Sequence, residues 1–212
     1  MNPTTLPLRL LLLANAFLPF AGAHDAPAPA PYPDKAAHAP RPLPDRVVLT
    51  WRGDPATTQA VTWRTDTSVR RAEAKVGLAN ESGRNLKWTK VPAVTTPHTS
   101  SLGDAHHHAA EFNGLEPDTL YAYRVGDGVN WSEWFHFRTA AREARTFSFI
   151  YFGDAQNDIR THWSRCFREA FRESPRAAFT LHAGDLVNNA HHDGQWGEWF
   201  GAPAWVNGRI PV

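Results

Sequence analysis

Two Gly-Asp dipeptides, Gly153-Asp154 and Gly184-Asp185, are the residues of this chain best suited to chemistry, because each follows a hydrophobic run. A glycine before each aspartate permits a sharp turn and lets a ligand approach the backbone closely. Two carboxylates brought side by side repel each other unless they share a proton or a cation, and hard metal ions are the usual partner. A single Gly-Asp is equally typical of a turn or a helix N-cap, so the interpretation as a metal site depends on the pair.

The segments around the two aspartates have the pattern of a strand, a helix and a second strand. Phe147–Phe152 and Ala177–Ala183 are the hydrophobic runs that predict the strands. Pro175 ends the predicted helix. A βαβ crossover makes its two strands parallel, so both aspartates are expected at one edge of the sheet, where open α/β sheets bind ligands. Five residues between the strands have the spacing of an apolar helix stripe: Trp163, Cys166, Phe167, Ala170 and Phe171.

Residues 46–140 have a different pattern, in which short segments of alternating apolar and polar residues are separated by turn residues. Strands of this length and spacing favour a β-sandwich. The segment Leu115–Val125, which contains Tyr121, resembles the corner of a fibronectin type III domain, in which a tyrosine hydroxyl bonds to nearby backbone. The predicted strands are Val47–Trp51, Gln59–Arg64, Ala72–Gly77, His107–Phe112, Leu120–Val125 and Glu133–Arg138.

Together these motifs resemble a known family. Gly153-Asp154 followed by Gly184-Asp185 is similar to the first two metal-binding motifs of calcineurin-like metallophosphoesterases. The stretches His107–Leu115 and Val129–Trp134 are similar to the N-terminal domain of purple acid phosphatases, which narrows the resemblance to that type. It implies an all-β fibronectin type III-like sandwich over residues 46–140, followed by the first part of an α/β metallophosphoesterase domain over residues 146–212.

The resemblance also implies a function and a cofactor. The function is that of an exported acid phosphatase-like hydrolase, which splits phosphate esters with a metal-bridging hydroxide. The cofactor is a dinuclear metal centre of iron with zinc, manganese or a second iron. In the family pattern, the position of Asp154 binds one metal and the position of Asp185 bridges both. A phosphodiester or a lipid phosphate remains open as the substrate.

Two positions depart from the family pattern. Gln156 stands where the wider family has a histidine, and Asn188 stands where purple acid phosphatases have a tyrosine whose phenolate colours the ferric ion. An amide oxygen can ligate a hard metal but gives no charge-transfer band, so we expect no purple colour. Asn188, Gln156 and Asn157 are therefore candidate substitute ligands or phosphate-contacting residues.

The later motifs of the family are absent from this sequence. No Gly-Asn-His and no Gly-His-x-His motif follows Asp185, so no catalytic residue is assigned, and the expected histidines would lie beyond Val212. The expectation is a truncated sequence whose metallophosphoesterase domain is incomplete, with Ile210–Val212 opening the next strand. The alternative is a catalytically inactive fragment that acts only as a secreted β-sandwich binding module. Retention of metal ions would distinguish the two.

The N-terminal residues predict export. Arg9 precedes the apolar run Leu10–Phe20, and Ala21-Gly22-Ala23 has the small residues that a signal peptidase cuts after. The run is too short and interrupted to predict a stable membrane span, so the mature protein is expected to be secreted or periplasmic. Residues 24–45 are rich in proline and alanine and predict an extended linker.

Composition limits the partners. The net charge is +1 with acidic and basic residues mixed, which does not predict nucleic-acid binding. The arginines of the predicted helix are interleaved with glutamates, which indicates a solvated helix face. Cys166 is the only cysteine, so no intramolecular disulfide can form, and the oligomeric state is left open. Histidines near the motifs and on the sandwich are interpreted as packed or surface residues rather than ligands: His106, His107, His108, His182, His191 and His192.

Overall fold

The computed structural model describes residues 33–79 and 87–212. The predicted signal peptide, residues 1–23, and the first part of the predicted linker lie outside the described residues. Among the residues that are described, no helix has both the length and the apolar character needed to cross a bilayer.

Ten strands and three α-helices make up the described part of the chain. A π-helical turn, Ile159–Trp163, precedes the second helix, and a 3₁₀ turn, Ala204–Gly208, follows the third. The strands are β1 Asp45–Thr50, β2 Gln59–Asp66, β3 Glu73–Leu78, β4 Thr89–Pro92, β5 Val94–Ser100, β6 Gly103–Phe112, β7 Leu120–Gly126, β8 Phe135–Arg138, β9 Ile150–Phe152 and β10 Thr180–His182. The helices are α1 Asp34–His38, α2 Ser164–Glu173 and α3 Asp193–Gly201.

The first eight strands form two four-stranded antiparallel sheets, in the orders β1-β2-β6-β5 and β4-β3-β7-β8. This order is that of immunoglobulin-like sandwiches, with β4 as an added edge strand. The prediction of a β-sandwich is confirmed. Large aromatic side chains fill the space between the sheets, where the rings of Phe112 and Phe137 stack with centroids 6.0 Å apart. Burial of such rings is the main stabilisation of a domain of this size.

The corner predicted around Tyr121 is present. The hydroxyl oxygen of Tyr121 accepts a hydrogen bond from the backbone N–H of Glu116 at 2.8 Å. This bond fixes the turn that leads into β7 while the Tyr121 ring packs in the core next to Phe137. Tyr121 therefore links the turn, through its hydroxyl, to the core between the two sheets, through its ring.

Two sandwich strands, β4 and β5, were not predicted from the sequence. Both are edge strands whose side chains are largely exposed, and β5 contains Pro97. Because an edge strand needs hydrogen bonds on one side only, it tolerates proline and needs no run of apolar residues. The hydrophobic alternation used to find the other six strands is therefore missing from these two.

The C-terminal segment, residues 146–212, forms a small α/β unit. Strands β9 and β10 pair in parallel, with Ile150 opposite Thr180 and Phe152 opposite His182. Helix α2 begins at Ser164 and ends at Glu173, before Pro175, because proline disfavours a helical conformation at the residue before it. The predicted strand–helix–strand order is confirmed, although both strands are shorter than the hydrophobic runs that predicted them.

Three local details differ from expectation. Cys166 is exposed rather than packed on the apolar stripe of α2. Part of the predicted extended linker, Asp34–His38, forms the short helix α1. This helix lies directly on α3, because Gly197 has no side chain to hold the His38 ring away. Residues Ile210–Val212 are not a strand, but the Pro211 carbonyl accepts a hydrogen bond from the N–H of Thr180 at 2.9 Å.

A buried ion cluster joins the sandwich to the α/β segment. The Asp193 carboxylate, at the start of α3, accepts hydrogen bonds from Arg46 Nη1 at 2.6 Å, Ser100 Oγ at 2.8 Å and Arg64 Nη1 at 3.3 Å. Arg64 also donates to Asp45 at 2.6 Å. Burial opposes ionisation of Asp193, but the hydrogen bonds from Arg46 and Ser100 and the charges of the two arginines prevail and lower its pKa.

A second contact joins the two regions on the other sheet. The Tyr123 hydroxyl, from the centre of β7, donates to the carbonyl of Gly208 at 2.6 Å. Burial raises the pKa of Tyr123 well above its usual value, so the hydroxyl stays protonated and remains a donor. The α/β segment is thus held to the sandwich by an ion cluster, by a buried hydroxyl and by the N–H of Val212, which donates to the Leu49 carbonyl at 3.0 Å.

Candidate metal centre

Asp154 and Asp185 leave the parallel strand pair at the same edge. Phe152 and His182 are paired at the carboxyl ends of β9 and β10, and each aspartate follows shortly after. The N–H of Ala183 donates to the Phe152 carbonyl at 2.8 Å, which extends the pairing by one bond toward the aspartates. The predicted placement of the two Gly-Asp motifs at one sheet edge therefore agrees with the strand register.

The backbone at these motifs is in an uncommon conformation. Asp154 and Asp185 have φ values of 54° and 49°, and Asn157 and Asp158 have φ values of 69° and 47°. Gly184, with φ of 102°, occupies a region that residues with a side chain rarely adopt. Aspartate and asparagine tolerate the left-handed region better than most residues, and such conformations concentrate at ligand sites. The local geometry thus gives a physical reason for these residue types at these positions.

The two loops are hydrogen-bonded to each other. The N–H of Gln156 donates to the Asp185 carbonyl at 2.8 Å, and Asn188 Nδ2 donates to Asn157 Oδ1 at 2.8 Å. The five residues singled out in the sequence therefore lie in two adjoining loops. In this arrangement Asn188 uses its NH₂ group and keeps its oxygen as an acceptor, whereas Asn157 keeps its NH₂ donors.

The donor chemistry of these loops fits a hard metal ion in part. The side chains of Asp154, Asp185, Asn157 and Asn188 are exposed, so a metal and a substrate could reach them. Carboxylate and amide oxygens are ligands that hard cations prefer. Across residues 33–79 and 87–212, no group of three or more His, Cys, Asp or Glu side chains is arranged to hold a metal ion. The described loops thus present two carboxylates of a site, not a complete set of ligands.

His182 lies under this edge, among aromatic rings. Its ring centroid is 5.2 Å from that of Trp199 and 5.3 Å from that of Phe152. Burial lowers the pKa of His182, which favours the neutral ring. Its Nε2 lies 3.3 Å from Thr180 Oγ1, while Nδ1 is buried with no hydrogen-bond partner in the described part of the chain. The side chain is packed inside the segment, below the loops that carry the aspartates.

The other histidines are separated by their positions in the fold. His191 is exposed, and His192 Nε2 lies 3.3 Å from Asp34 Oδ2. On β6, the His106 ring contacts the Val69 carbonyl at 2.8 Å, whereas His108 is buried between the hydroxyls of Thr65 and Thr95. Burial lowers the pKa of His108 to about 4, so this ring is neutral at pH 7.

Asp193, which helps to fix this region to the sandwich, was not predicted from the sequence. It lies eight positions after Asp185, at the first residue of α3, and its carboxylate is buried against Arg46 and Arg64. The sequence marks it only as an acidic residue before a helix, which is common. Its arginine partners lie more than a hundred positions earlier, so nothing local in the sequence identifies the cluster.

The fold is a β-sandwich followed by a small α/β unit, in which the two Gly-Asp turns follow the carboxyl ends of a parallel strand pair. Residues 44–139 match the family model described as purple acid phosphatase, N-terminal domain. This segment of the chain therefore carries the N-terminal domain of purple acid phosphatases, as the resemblance in the sequence implied. Against the curated proteins, the chain has no match.

Among solved structures, the structure of PhoD matches with a TM-score of 0.52 and 15% sequence identity, over 88% of this chain and 39% of PhoD. The likeness is one of fold, and this chain spans well under half the length of PhoD. A redesigned β-sandwich protein matches 48% of this chain and 97% of its own length, with 24% identity and a TM-score of 0.32. The sensor domain of the anti-sigma factor RsgI4 from Pseudobacteroides cellulosolvens matches 46% of this chain and 97% of its own length, with 15% identity and a TM-score of 0.28.

Proposed function

We propose that this chain carries the sandwich and the first two metal ligands of an exported phosphoesterase of the purple acid phosphatase type, which hydrolyses phosphate esters. The observation that supports the proposal is the placement of Asp154 and Asp185 at one edge of a parallel strand pair, directly after a purple acid phosphatase N-terminal domain. The family match alone supports a phosphatase relationship, and the paired acidic turns supply the chemistry.

In this proposal Asp154 and Asp185 would be the carboxylate ligands of a dinuclear metal centre, Asp154 for one metal and Asp185 for both. Asn188, with its free amide oxygen, takes the ligand position at which purple acid phosphatases have tyrosine. The oxygen-rich set favours iron, manganese or magnesium over softer ions. When bound, such metals act as Lewis acids toward a phosphoryl group and lower the pKa of water.

The side chains and backbone of the two loops would bind the metal and orient the phosphoryl group. The left-handed backbone at Asp154 and Asp185 and the bond between Gln156 and the Asp185 carbonyl fix both loops before any ligand arrives. Preorganised ligands lose little conformational entropy on binding. The NH₂ group of Asn157, which is not used by its bond to Asn188, is available to donate to a phosphoryl oxygen.

Metal binding tests the ligand assignment. Asparagine at positions 154 and 185 removes the charge but still tolerates the left-handed conformation, so the loops should keep their shape. We expect Asp154→Asn and Asp185→Asn each to weaken Mn²⁺ binding by tenfold or more, measured by equilibrium dialysis with elemental analysis. Asp118→Asn is the matched control, because Asp118 has the same φ of 49° as Asp185 but lies in the sandwich. Equal affinity in all four proteins would contradict the assignment.

Hydrolysis tests the function of the whole protein. The protein isolated from its own source should hydrolyse an aryl phosphate monoester or diester, lose this activity on treatment with a chelator and regain it with Mn²⁺ or Fe²⁺. The ratio of monoester to diester rates identifies the substrate class. An intact mass compared with 23.7 kDa for the 212 residues shows whether these residues alone account for the active protein. Chelator-resistant activity, or none after metal is restored, would contradict the proposal.

Export is tested separately. Cleavage after Ala23 would leave His24 as the first residue of the mature protein. We expect N-terminal sequencing of protein recovered from the periplasm or the medium to begin at His24. Recovery of the chain from the cytoplasm with Met1 intact would contradict export without affecting the metal assignment.

A further inference from the structure

A cavity of about 440 Å³ lies between α1, α2 and α3, away from the acidic loops. Neither Asp154 nor Asp185 lines it. Its volume falls in the range of small-molecule sites. Much of its wall consists of alanine and glycine from α1 and α3, and these small residues leave the space open. Longer polar side chains form the rest of the wall.

The charged side chains around the cavity are mostly cationic. Three guanidinium groups, those of Arg41, Arg160 and Arg168, line it together with a single carboxylate, Glu198. Arg160, Ser164 and Arg168 follow one another at intervals of four residues, so they lie on one side of the π-helical turn and α2. Arg41 is held across α1 by donation from Nη2 to the Ala36 carbonyl at 3.3 Å.

Two of these arginines have their side chains available. In the described part of the chain, neither Arg160 nor Arg168 forms an ion pair, whereas Arg172 on the same helix pairs with Glu169 at 2.7 Å and Glu173 at 3.0 Å. The helix face interpreted from sequence as merely solvated therefore divides into a self-paired part and a part that lines the cavity.

We propose that this cavity binds a phosphate group, either free inorganic phosphate or the terminal group of a phosphomonoester. Guanidinium groups match phosphate oxygens in pairs of charge-assisted hydrogen bonds, and three of them line this one cavity. Glu198 can accept a hydrogen bond from a protonated phosphate oxygen or an ester hydroxyl, which fits a monoanion or a small ester better than a bare polyanion. His38, also on the wall, has its pKa lowered mainly by burial and contributes a neutral ring.

Titration calorimetry of metal-free chain with inorganic phosphate tests this site. A chelator is present throughout, so binding at the acidic loops through a metal is excluded from the measurement. We expect Arg160→Ala and Arg168→Ala each to weaken phosphate binding by about tenfold or more, because each removes a charge-assisted pair of bonds. Arg165→Ala is the matched control, since Arg165 is an exposed arginine of the same helix that does not line the cavity, and its affinity should equal that of the unaltered chain.

Additional variants and ligands in the same experiment distinguish this site from the metal centre and identify what it binds. Asp154→Asn and Asp185→Asn should leave metal-free phosphate binding unchanged, so the two proposals can fail independently. Tighter binding of glycerol phosphate than of inorganic phosphate assigns the site to an ester, and the reverse assigns it to the free ion. No heat with either ligand at millimolar concentration, or an equal loss in Arg165→Ala and Arg168→Ala, would overturn the proposal.

Discussion

The sandwich and the α/β segment differ in how completely they cover their own apolar surface. The sandwich encloses its aromatic residues between two sheets, with Tyr123 fully buried and Phe137 only 2% exposed. In the α/β segment, one face of β9 and β10 packs against α2 and α3, whereas Tyr151 and Leu181 on the other face are 62% and 47% exposed. Parallel sheets are normally covered on both faces. The sandwich is therefore built to be stable by itself, and the segment that carries the acidic loops depends on contacts beyond its own core.

Removing one buried ring from each region gives the largest expected effects. Phe137→Ala and Phe167→Ala should each cost about 3–5 kcal/mol, because both side chains are fully or almost fully buried. If the sandwich is self-sufficient, Phe167→Ala should accelerate amide exchange in β9 and β10 but leave β6 and β7 protected, whereas Phe137→Ala should expose both regions. Equal loss of protection in both regions for Phe167→Ala would show that they form a single cooperative unit.

The ion cluster between the regions should give the next largest effect. Asp193→Asn leaves Arg46 buried without its counter-charge and leaves Arg64 with Asp45 alone, and it should cost about 3 kcal/mol in the free energy of unfolding, measured with denaturant. Asp118→Asn breaks only exposed pairs with Arg138 and Arg145 and should cost less than about 1 kcal/mol. Similar costs for the two variants would mean that the cluster does not hold the regions together.

The same cluster predicts an acid dependence with a definite sign. The pKa of Asp193 is lower in the folded protein than its usual value of 3.8. Its contribution to stability is therefore fully present above that value and is lost as the pH falls through the folded-state pKa. Asp193→Asn should remove this part of the pH dependence. The measurement is the denaturation midpoint as a function of pH, from about pH 5 to about pH 2.5, where a carboxylate with a lowered pKa takes up its proton. An unchanged slope would contradict the assignment.

A smaller effect is expected from His108 inside the sandwich. Burial, reinforced by the charges of His106 and His107, lowers its folded-state pKa to about 4 from 6.5. The unfolded chain takes up the proton first, so stability should decline as the pH falls from about 6.5 to about 4. His108→Gln should flatten the Tm profile over this range, and His136→Gln, at an exposed position of β8, serves as the control. An unaltered profile in His108→Gln would contradict this origin.

The smallest effect on stability, and a clear effect on solubility, is expected at the exposed face of the parallel pair. Leu181→Lys should change the free energy of unfolding by about 0.5 kcal/mol or less, because the side chain is half exposed. It should nevertheless reduce binding of a hydrophobic dye and slow aggregation, since it interrupts an exposed apolar face. Unchanged dye binding would indicate that this face is covered in solution.

The fold could be predicted from sequence wherever the signal was local. Alternating hydrophobicity located six sandwich strands, and the spacing of Trp163, Phe167 and Phe171 located α2. The residues around Tyr121 indicated the corner that its hydroxyl stabilises. The edge strands β4 and β5 were missed because one-sided pairing imposes no apolar alternation.

The candidate site could be predicted only to the level of which loops meet. The order of strand, helix and strand placed Asp154 and Asp185 at one edge, but the bond between Asn157 and Asn188 and the left-handed backbone required the structure. The cluster around Asp193 and the arginine-lined cavity join residues that are distant in sequence. Contacts between distant residues leave no local pattern in the sequence, so the spacing of Arg160 and Arg168 indicated only a solvated helix face.

The central claim, that the two acidic loops form one metal-binding edge, is tested most directly by paramagnetic broadening of backbone amide signals on addition of Mn²⁺. The account predicts that signals from residues 153–157 and 184–188 broaden together at the lowest Mn²⁺ concentrations, and that Asp185→Asn abolishes the effect in both loops. Broadening centred on His106–His108 of the sandwich, or broadening of one acidic loop without the other, would contradict it.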